Sequence, residues 1–367
     1  MIHFPIRFRS ATGSVPKSTT PATAISLEDQ DTKKHRRSQL INWALGLVCI
    51  GWTGALIGCS SSDTASTLGD WRRRSDFEGV ARSAATGFVI GNFGYLGTGV
   101  DGSSNRLKDF WAYDQTKNTW VQLADFGGVA RTTAVGFSVG TKGYIGTGLN
   151  ANSDKLKDFW EYDQATNKWT QIADFGGTAR YSATAFSIGT KGYVGTGNDG
   201  NYVKDFWAYD PTQKTWTKVS SYSGSKRMGA VSLVINGLGY VGTGNNNGTA
   251  QRDWYAYDPA QDLWVEKAQF TTDQSTIARS YAVGFVINNL GYITTGNASS
   301  TTVWQYTPGT DTWATLGTFE GSSRVYSVGF AIGGKGYVTT GQPDGSTLRN
   351  DDLWEFDPTI AQDLDNN

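Results

Sequence analysis

Short apolar and aromatic runs alternate with turns rich in Gly, Asn and Asp along most of the chain, and the alternation recurs at a fixed interval. The most regular run, DFWAYDQTKNTW, opens at Asp109 and returns in looser form further along. Its copies occupy residues 109–120, 158–169, 205–216, 253–264, 303–313 and 352–358. A period of roughly 45–50 residues is typical of a propeller or a solenoid. Each copy predicts two β-strands joined by a short polar turn.

An arginine marks the first half of every unit. A Phe or Leu follows it after six residues, and a Gly-Tyr pair follows it after twelve. The six arginines are Arg82, Arg131, Arg180, Arg227, Arg279 and Arg324. Turns such as GTKG at 140–143 favour tight hairpins between these positions. Each unit is therefore predicted to have four strands, which in the first unit are a (82–90), b (94–98), c (109–114) and d (119–124).

Strand a carries a small residue directly before its Phe or Leu in every unit. These residues are Gly87, Gly136, Ala185, Ser232, Gly284 and Gly329. Strands that crowd around a central axis need small side chains of this kind. The large aromatic residues of strands b, c and d can then fill the space that widens between neighbouring blades.

The tryptophans predict how such a ring closes. Of the 14 tryptophans, six lie on c strands and six on d strands. The first d-type residue, Trp71, precedes every a strand, and the last c-type residue, Trp354, has no d strand after it. The sequence therefore predicts an all-β fold, a six-bladed propeller of four-stranded antiparallel blades. An N-terminal strand around Trp71 would pair into the last blade, which also removes exposed edges.

The N-terminal segment has a different composition. The basic cluster KKHRR is followed by an apolar run that ends in LIGC, and this order predicts a secretory signal. We expect residues 1–58 to be an N-terminal extension with this signal and residues 59–69 to be a flexible tether. Residues 70–358 would form the propeller, and residues 359–367 a C-terminal tail.

The LIGC ending resembles the lipobox of bacterial lipoproteins, which implies that Cys59 carries a lipid. The alternative is an uncleaved transmembrane anchor, because the apolar run is long enough to span a bilayer. Both interpretations place the propeller in the bacterial cell envelope, outside the cytoplasm and attached to the membrane. We expect it to be a monomer.

Residue types that the propeller lacks exclude several functions. The chain has only two histidines, His3 and His35, and no cysteine follows Cys59. Copper-radical oxidase chemistry, histidine-based triads, zinc–histidine sites and cysteine nucleophiles are therefore excluded. We predict no cofactor and no metal site. Residues 60–367 hold 25 basic and 30 acidic residues, a net charge of −5, which does not support nucleic-acid binding.

The hydrophobic strand, the Gly-ended strand, the Tyr-Asp pair and the spaced tryptophans resemble kelch repeats over roughly residues 70–358. This resemblance implies a propeller like the central domain of galactose oxidase, as in secreted bacterial kelch proteins. Kelch units usually carry Gly-Gly after strand b, whereas this chain carries Thr-Gly, as at Thr98-Gly99. The resemblance also implies that the ligand surface is the face with the b–c loops and d–a connections, where arginines contact acidic partners.

Two interpretations of the six arginines remain open. They open strand a and are predicted to ring the channel mouth, where guanidinium groups suit a ligand carboxylate. Alternatively they pair with acidic residues of the d–a connections and serve the fold. Those residues are Asp76, Glu78, Asp125, Asp174, Asp273 and Glu320. Features that break the repeat are better candidates for a site, namely Tyr181, Tyr281, Tyr326 and the long connection 268–279.

Three functions fit these features. The first is a binding module that recognises a glycan or a protein on the loop face. The second is a carbohydrate-active enzyme similar to bacterial sialic acid mutarotases, which are six-bladed kelch proteins; Glu78 or Glu320 beside an arginine would be the weak catalytic candidates. The third is an envelope scaffold that docks a partner chain. The Asn- and Asp-rich b–c loops suit a hydrogen-bonding surface, but simple turn chemistry and solvation also explain them and are favoured.

Overall fold

The computed structural model describes residues 67–269, 278–297 and 300–365, and every regular element in these ranges is a β-strand. The predicted signal, Cys59 and Asp273 lie outside the described residues, as do most of the tether and of the long connection. No helix long and apolar enough to cross a membrane occurs in the described ranges.

The strands form six four-stranded antiparallel sheets. From the channel outward, the first three blades are β3 (Thr86–Ile90), β4 (Phe93–Gly97), β6 (Phe110–Asp114) and β7 (Thr119–Gln122); β8 (Val135–Val139), β9 (Lys142–Gly146), β10 (Phe159–Asp163) and β11 (Lys168–Ile172); and β12 (Thr184–Ile188), β13 (Lys191–Gly195), β14 (Phe206–Asp210) and β15 (Thr215–Val219).

The fourth to sixth blades repeat this order. They are β16 (Val231–Ile235), β17 (Leu238–Gly242), β20 (Trp254–Asp258) and β21 (Leu263–Glu266); β22 (Val283–Ile287), β23 (Leu290–Thr294), β24 (Thr302–Thr307) and β25 (Thr312–Thr318); and β26 (Val328–Ile332), β27 (Lys335–Thr339), β28 (Leu353–Ala361) and β1 (Leu68–Arg74). Two short pairs lie outside the blades: β2 (Arg82–Ser83) with β5 (Val100–Asp101), and β18 (Asn245–Asn246) with β19 (Thr249–Ala250).

The first strands of neighbouring blades contact one another around a central channel, and the ring closes between β26 and β3. The small residues of strand a are needed for this approach. A Cβ atom on Gly87 would lie 2.5 Å from the Tyr95 carbonyl oxygen and 2.7 Å from Cγ1 of Val328 in the last blade. The six-bladed propeller is therefore confirmed, and with it the reason for the small residues.

The N-terminal strand closes the ring as predicted. Strand β1 pairs antiparallel with β28, which places Trp71 opposite Phe356. The Trp71 side chain is fully buried, and its ring meets that of Phe319 edge-on at a centroid distance of 4.8 Å. The outer strand of the sixth blade thus comes from the opposite end of the propeller sequence, and hydrogen bonds join the two ends.

Aromatic side chains fill the space between blades. Phe110 of the first blade meets Trp169 of the second edge-on at 4.9 Å, and Phe159 repeats the contact with Trp216 at 5.0 Å. Such rings each bury about 150–250 Å² and dominate the energy of a core. The chain therefore packs its blades together without a disulfide in the described residues.

Strand a is shorter than predicted. In the first unit it begins at Thr86 rather than at residue 82, because Arg82–Ser83 pairs with Val100–Asp101 instead of with the blade. Ala84, at a φ of 51°, turns the chain between the two segments. The residues before each blade therefore belong to the loop face, and this pairing joins the d–a connection to the b–c loop.

Candidate functional site

A buried arginine clamp occupies the loop face of each blade. In the second blade, Arg131 donates from Nη1 and Nη2 to the two carboxylate oxygens of Asp158, at 2.8 and 2.6 Å. It also donates to the carbonyl oxygens of Thr147 and Val129, at 3.0 and 3.1 Å. The Phe126 ring centroid lies 4.8 Å from the guanidinium carbon. The side chain is 0% exposed, so its hydrogen-bonding capacity is used inside the protein.

Other blades repeat this clamp. The further bidentate pairs are Arg82 with Asp109, Arg180 with Asp205, Arg227 with Asp253 and Arg324 with Asp352. In the fifth blade, Thr302 stands where the aspartate would be, and Arg279 donates to the Thr295 carbonyl and to Ser300 Oγ at 2.9 Å. The six guanidinium groups have almost no exposed surface with which to contact a ligand.

The clamp corrects the predicted pairing of the arginines. The predicted partners were acidic residues of the d–a connections, but the partner in the described pairs is the aspartate that opens the DFW phrase. Asp125 and Asp174 instead form surface ion pairs with Lys108 and Lys157. The aspartate directly precedes strand c on the loop face and so reaches the arginine, whereas Asp125 and Asp174 are exposed at the surface. The described arginines are therefore held inside the clamp by this aspartate, and a role for them in ligand binding stays a prediction.

The clamp also controls the ionisation of its aspartates. Burial disfavours the charged form of Asp158, but the Arg131 guanidinium and the indole N–H of Trp160 act against it, and together they hold the pKa of that carboxyl below its usual value. The pKa values of Asp109, Asp205 and Asp352 are lowered for the same reasons. These carboxylates therefore stay ionised at neutral pH as fixed partners of the arginines.

A closed ring of six backbone hydrogen bonds lies at the mouth of the channel. It is formed by the residue two positions after each arginine, and each N–H donates to the carbonyl of its counterpart in the neighbouring blade at 2.9–3.2 Å. All six have positive φ. They are Ala84, Thr133, Ser182, Gly229, Tyr281 and Tyr326. Such backbone angles are rare for residues other than glycine, and the ring of hydrogen bonds stabilises them.

Two tyrosines break the symmetry of this ring. Tyr281 and Tyr326 lie side by side with ring centroids 4.1 Å apart and planes tilted by 33°, whereas the other four positions are small. They line a cavity of about 150 Å³ at the mouth, together with Ala84, Thr133 and Ser182. Burial raises the pKa of both phenols, and the Tyr326 hydroxyl raises that of Tyr281 further. The mouth thus presents two neutral phenols and aromatic surface.

Tyr181 occupies a different position from the other two predicted tyrosines. It is the first residue after Arg180, and its backbone pairs with Asn198 of the b–c loop through hydrogen bonds of 3.0 and 3.1 Å. Its phenol, like that of Tyr202, is close enough to Tyr281 to raise the pKa of that residue. The structure therefore gathers four tyrosines near the mouth. Counting whether each tyrosine stands one or two positions after its arginine would have distinguished their positions.

The two candidate glutamates lie apart from this cavity. Glu78 is exposed in the connection before Arg82, and Glu320 accepts a hydrogen bond of 2.9 Å from Gln362 near the chain end. Neither residue is part of the lining of the mouth. Within the described part of the chain, no group of three His, Cys, Asp or Glu side chains is arranged to hold a metal ion.

The polar b–c loops largely bind themselves. Asp101 Oδ1 accepts from the backbone N–H groups of Ser103 and Asn105, and Asn150 Oδ1 accepts from two backbone N–H groups of the next loop in the same way. These contacts match the turn chemistry that the sequence also allowed. The side chains that bind turns are less available to a ligand than the tyrosines.

Comparison with known proteins agrees with this architecture. Residues 75–232 match a family described as the KLHDC2/KLHL20/DRC7 Kelch-repeats domain. The solved structure of YjhT superposes with a TM-score of 0.65 at 16% identity, covering 76% of this chain and 95% of that one. No curated protein matches the chain. At this identity the structural likeness shows the fold alone. Residues 75–232, less than half of the chain, thus match kelch repeats in sequence, and the six blades agree with that match.

The chain departs from the usual kelch Gly-Gly pair at a position where glycine would be favoured. Thr98 has a φ of 62°, and its side chain is fully buried. Its carbonyl accepts the hydrogen bond from Arg82 Nη1 at 3.0 Å. The equivalent threonines of the other described blades have the same left-handed backbone. The left-handed backbone that directs this carbonyl toward the arginine is therefore kept, even though threonine stands in place of the usual kelch glycine.

Proposed function

We propose that this protein is a kelch-repeat binding module that recognises the end of a glycan at the tyrosine-lined mouth of its channel. The observation that carries this proposal is the pair Tyr281 and Tyr326, which stand together in a ring whose other members are small. We further propose, from the LIGC motif, that a lipid on Cys59 holds the module in the bacterial cell envelope.

Tyrosine suits a sugar for two reasons. Its ring offers a flat apolar surface to the C–H groups of a pyranose, and its hydroxyl both donates and accepts hydrogen bonds. The Tyr181 and Tyr202 hydroxyls add polar groups beside the mouth. The cavity of about 150 Å³ is smaller than the ~300–1,000 Å³ of sites for drug-sized ligands, which favours a single terminal sugar.

Binding is favoured over catalysis by the composition of this cavity. A mutarotase-like reaction on the sugar ring would need an acid–base group in contact with the ligand. Among the described residues, those that line the mouth include no carboxylate, and both candidate glutamates lie elsewhere. The buried arginines cannot supply the second group, because their side chains are enclosed by the clamp. The enzyme alternative therefore ranks below glycan binding, and an envelope scaffold stays a second alternative.

A glycan array probed with the full-length protein and with Tyr281→Ala tests the proposal. The variant should fold, because Ala84 occupies the same ring position in the first blade. We expect one group of glycans to bind and affinity for it to fall about tenfold in the variant, which corresponds to ~1.4 kcal/mol. Val121→Ala, an exposed change on β7, is the control and should bind normally.

Two results would contradict this function. Unchanged affinity in Tyr281→Ala would remove the tyrosine pair from the site. Absence of any glycan signal, with the protein folded as judged by its melting temperature, would favour a protein partner instead. A pull-down from envelope extract, compared between the natural chain and the variant, would then show whether the same face serves that partner.

A further inference from the structure

A second cavity on the loop face lies between the third and fourth blades, shares no lining residue with the cavity at the mouth, and has a volume of about 680 Å³. It differs from the corresponding space between the second and third blades. There, Lys157 pairs with Asp174 at 3.5 Å. Here Lys204 takes the position of Lys157, but Ser221 replaces the aspartate. The lysine is kept, and its partner is lost.

Two further lysines join it in the same groove. Lys218 of β15 stands where β11 of the second blade has Gln171, and Lys226 stands before Arg227 where the preceding unit has Ala179. Lys204, Lys218 and Lys226 are exposed, and none forms an ion pair with any residue that the structure describes. The groove therefore carries three lysines without a paired carboxylate in the described part of the chain. In the space between the second and third blades, one of these positions has a paired lysine and the other two have uncharged residues.

The carboxylates of the groove offset this charge only in part. Asp205 is neutralised by its bidentate contact with Arg180, at 2.7 and 2.8 Å. Asp199 accepts a hydrogen bond of 2.8 Å from Thr178 Oγ1 and is the one lining carboxylate not held by an arginine. Three ammonium groups facing one such carboxylate leave a net positive groove in a protein whose outer part is negatively charged.

The groove also contains an acceptor that lacks a donor. Asn246 lines it, and Oδ1 of this residue is buried without a hydrogen-bond partner among the residues that the structure describes. A buried acceptor without a donor costs free energy that a ligand hydroxyl would recover. Tyr202 lines the same groove and donates from its hydroxyl to Asn245 Oδ1 at 3.2 Å. A ligand that carries both anionic groups and hydroxyl groups would satisfy the lysines and the amide oxygen together.

We propose that this groove is a separate binding site for an acidic polysaccharide. Carboxylate or sulfate groups of the polymer contact Lys204, Lys218 and Lys226, and one sugar hydroxyl donates to Asn246 Oδ1. Each contact between an exposed lysine and an anion is weak and is screened by salt. Repeated groups along a polymer raise the effective concentration of the next group and make the combined binding measurable. The site does not depend on glycan binding at the channel mouth.

The test uses the full-length protein with polygalacturonate as the uronate probe, dextran sulfate as the sulfate probe and neutral dextran as the negative control. Binding is measured by biolayer interferometry at 50 mM and at 300 mM NaCl. We expect binding to at least one acidic polymer, none to neutral dextran, and a weaker signal at high salt. The triple variant Lys204→Gln, Lys218→Gln, Lys226→Ala should lose affinity at least tenfold.

A matched variant separates this site from general charge attraction. Lys157→Gln, Lys168→Gln, Lys191→Gln also removes three surface lysines, and it should keep affinity within about twofold. Tyr281→Ala should bind the acidic polymer normally even if it loses its glycan at the mouth. Equal losses in the two triple variants, or no binding to either acidic polymer, would overturn the proposal. Tighter binding of poly-glutamate than of either polysaccharide would also overturn it, in favour of an acidic peptide.

Discussion

The replacement Asp158→Ala tests whether the arginine clamp stabilises the propeller. In the natural protein, the two oxygens of Asp158 receive hydrogen bonds from the buried Arg131 side chain, and one of them also accepts from Trp160 Nε1 at 2.8 Å. Alanine removes all of these acceptors. The guanidinium group then stays buried with its charge uncompensated, because the Phe126 ring and the surrounding strands still cover it.

The expected loss is large for a single residue. Removing one member of a buried ion pair costs about 3–5 kcal/mol. The Asp158 side chain is 23% exposed, so water can reach part of the vacated space and we expect the lower end, about 3 kcal/mol. Because a folded domain is stable by only about 5–15 kcal/mol, this loss is a substantial fraction of the total.

Denaturant unfolding followed by tryptophan fluorescence, together with the melting temperature, measures this loss. Asp163→Ala is the matched control, since its carboxylate at the other end of β10 pairs with Lys142 at 2.8 Å, with exposures of 30% and 34%. That surface pair is solvated and screened, so its loss should change stability little. If the two variants lose equal stability, the argument from burial is refuted. The double variant Arg131→Met, Asp158→Ala should recover part of the loss, because it no longer buries an unpaired charge.

Three further predictions follow from the described contacts. Trp71→Ala should lower the free energy of unfolding by about 3–5 kcal/mol, because it leaves a cavity at a buried position in the closing strand. Leu68→Ala, on the exposed part of that strand, is its control. Equal melting temperatures for the two variants would contradict the closure. Gly99→Ala should cost at least about 2 kcal/mol because φ is +100° and the new Cβ would lie 2.9 Å from a backbone oxygen. Gly102→Ala should change stability little, because its new Cβ would lie 3.7 Å from the Thr347 carbonyl oxygen, an ordinary contact distance. The clamp aspartates have lowered pKa values, so their contribution is present above the unfolded pKa of about 3.9 and is lost as pH falls through the folded values. The melting temperature should therefore be nearly constant from about pH 5 to 8 and fall below about pH 4; a transition near pH 6 would point to other groups.

The sequence alone was sufficient for the architecture. The six recurring units, the small residue of strand a and the unpaired Trp71 and Trp354 predicted the number of blades and the way the ring closes, and the structure confirms both. These features repeat because every blade packs against its neighbours in the same way. Their spacing along the chain is therefore enough to predict the number and order of the strands. The N-terminal signal and the lipid on Cys59 remain predictions, since they fall outside the described residues.

The candidate sites were decided only by the tertiary structure. The spacing showed that an arginine recurs, but not that Asp158 rather than a connection acid reaches Arg131, because strand c must fold back before the two meet. It showed tyrosines after the arginines, but not that the rings of Tyr281 and Tyr326 lie side by side across two blades. Contacts between neighbouring blades depend on the direction in which the backbone turns after each arginine, because this direction sets where the next side chains lie. A difference of one residue in position, which a repeat pattern hardly registers, moves a side chain from the b–c loop to the channel mouth.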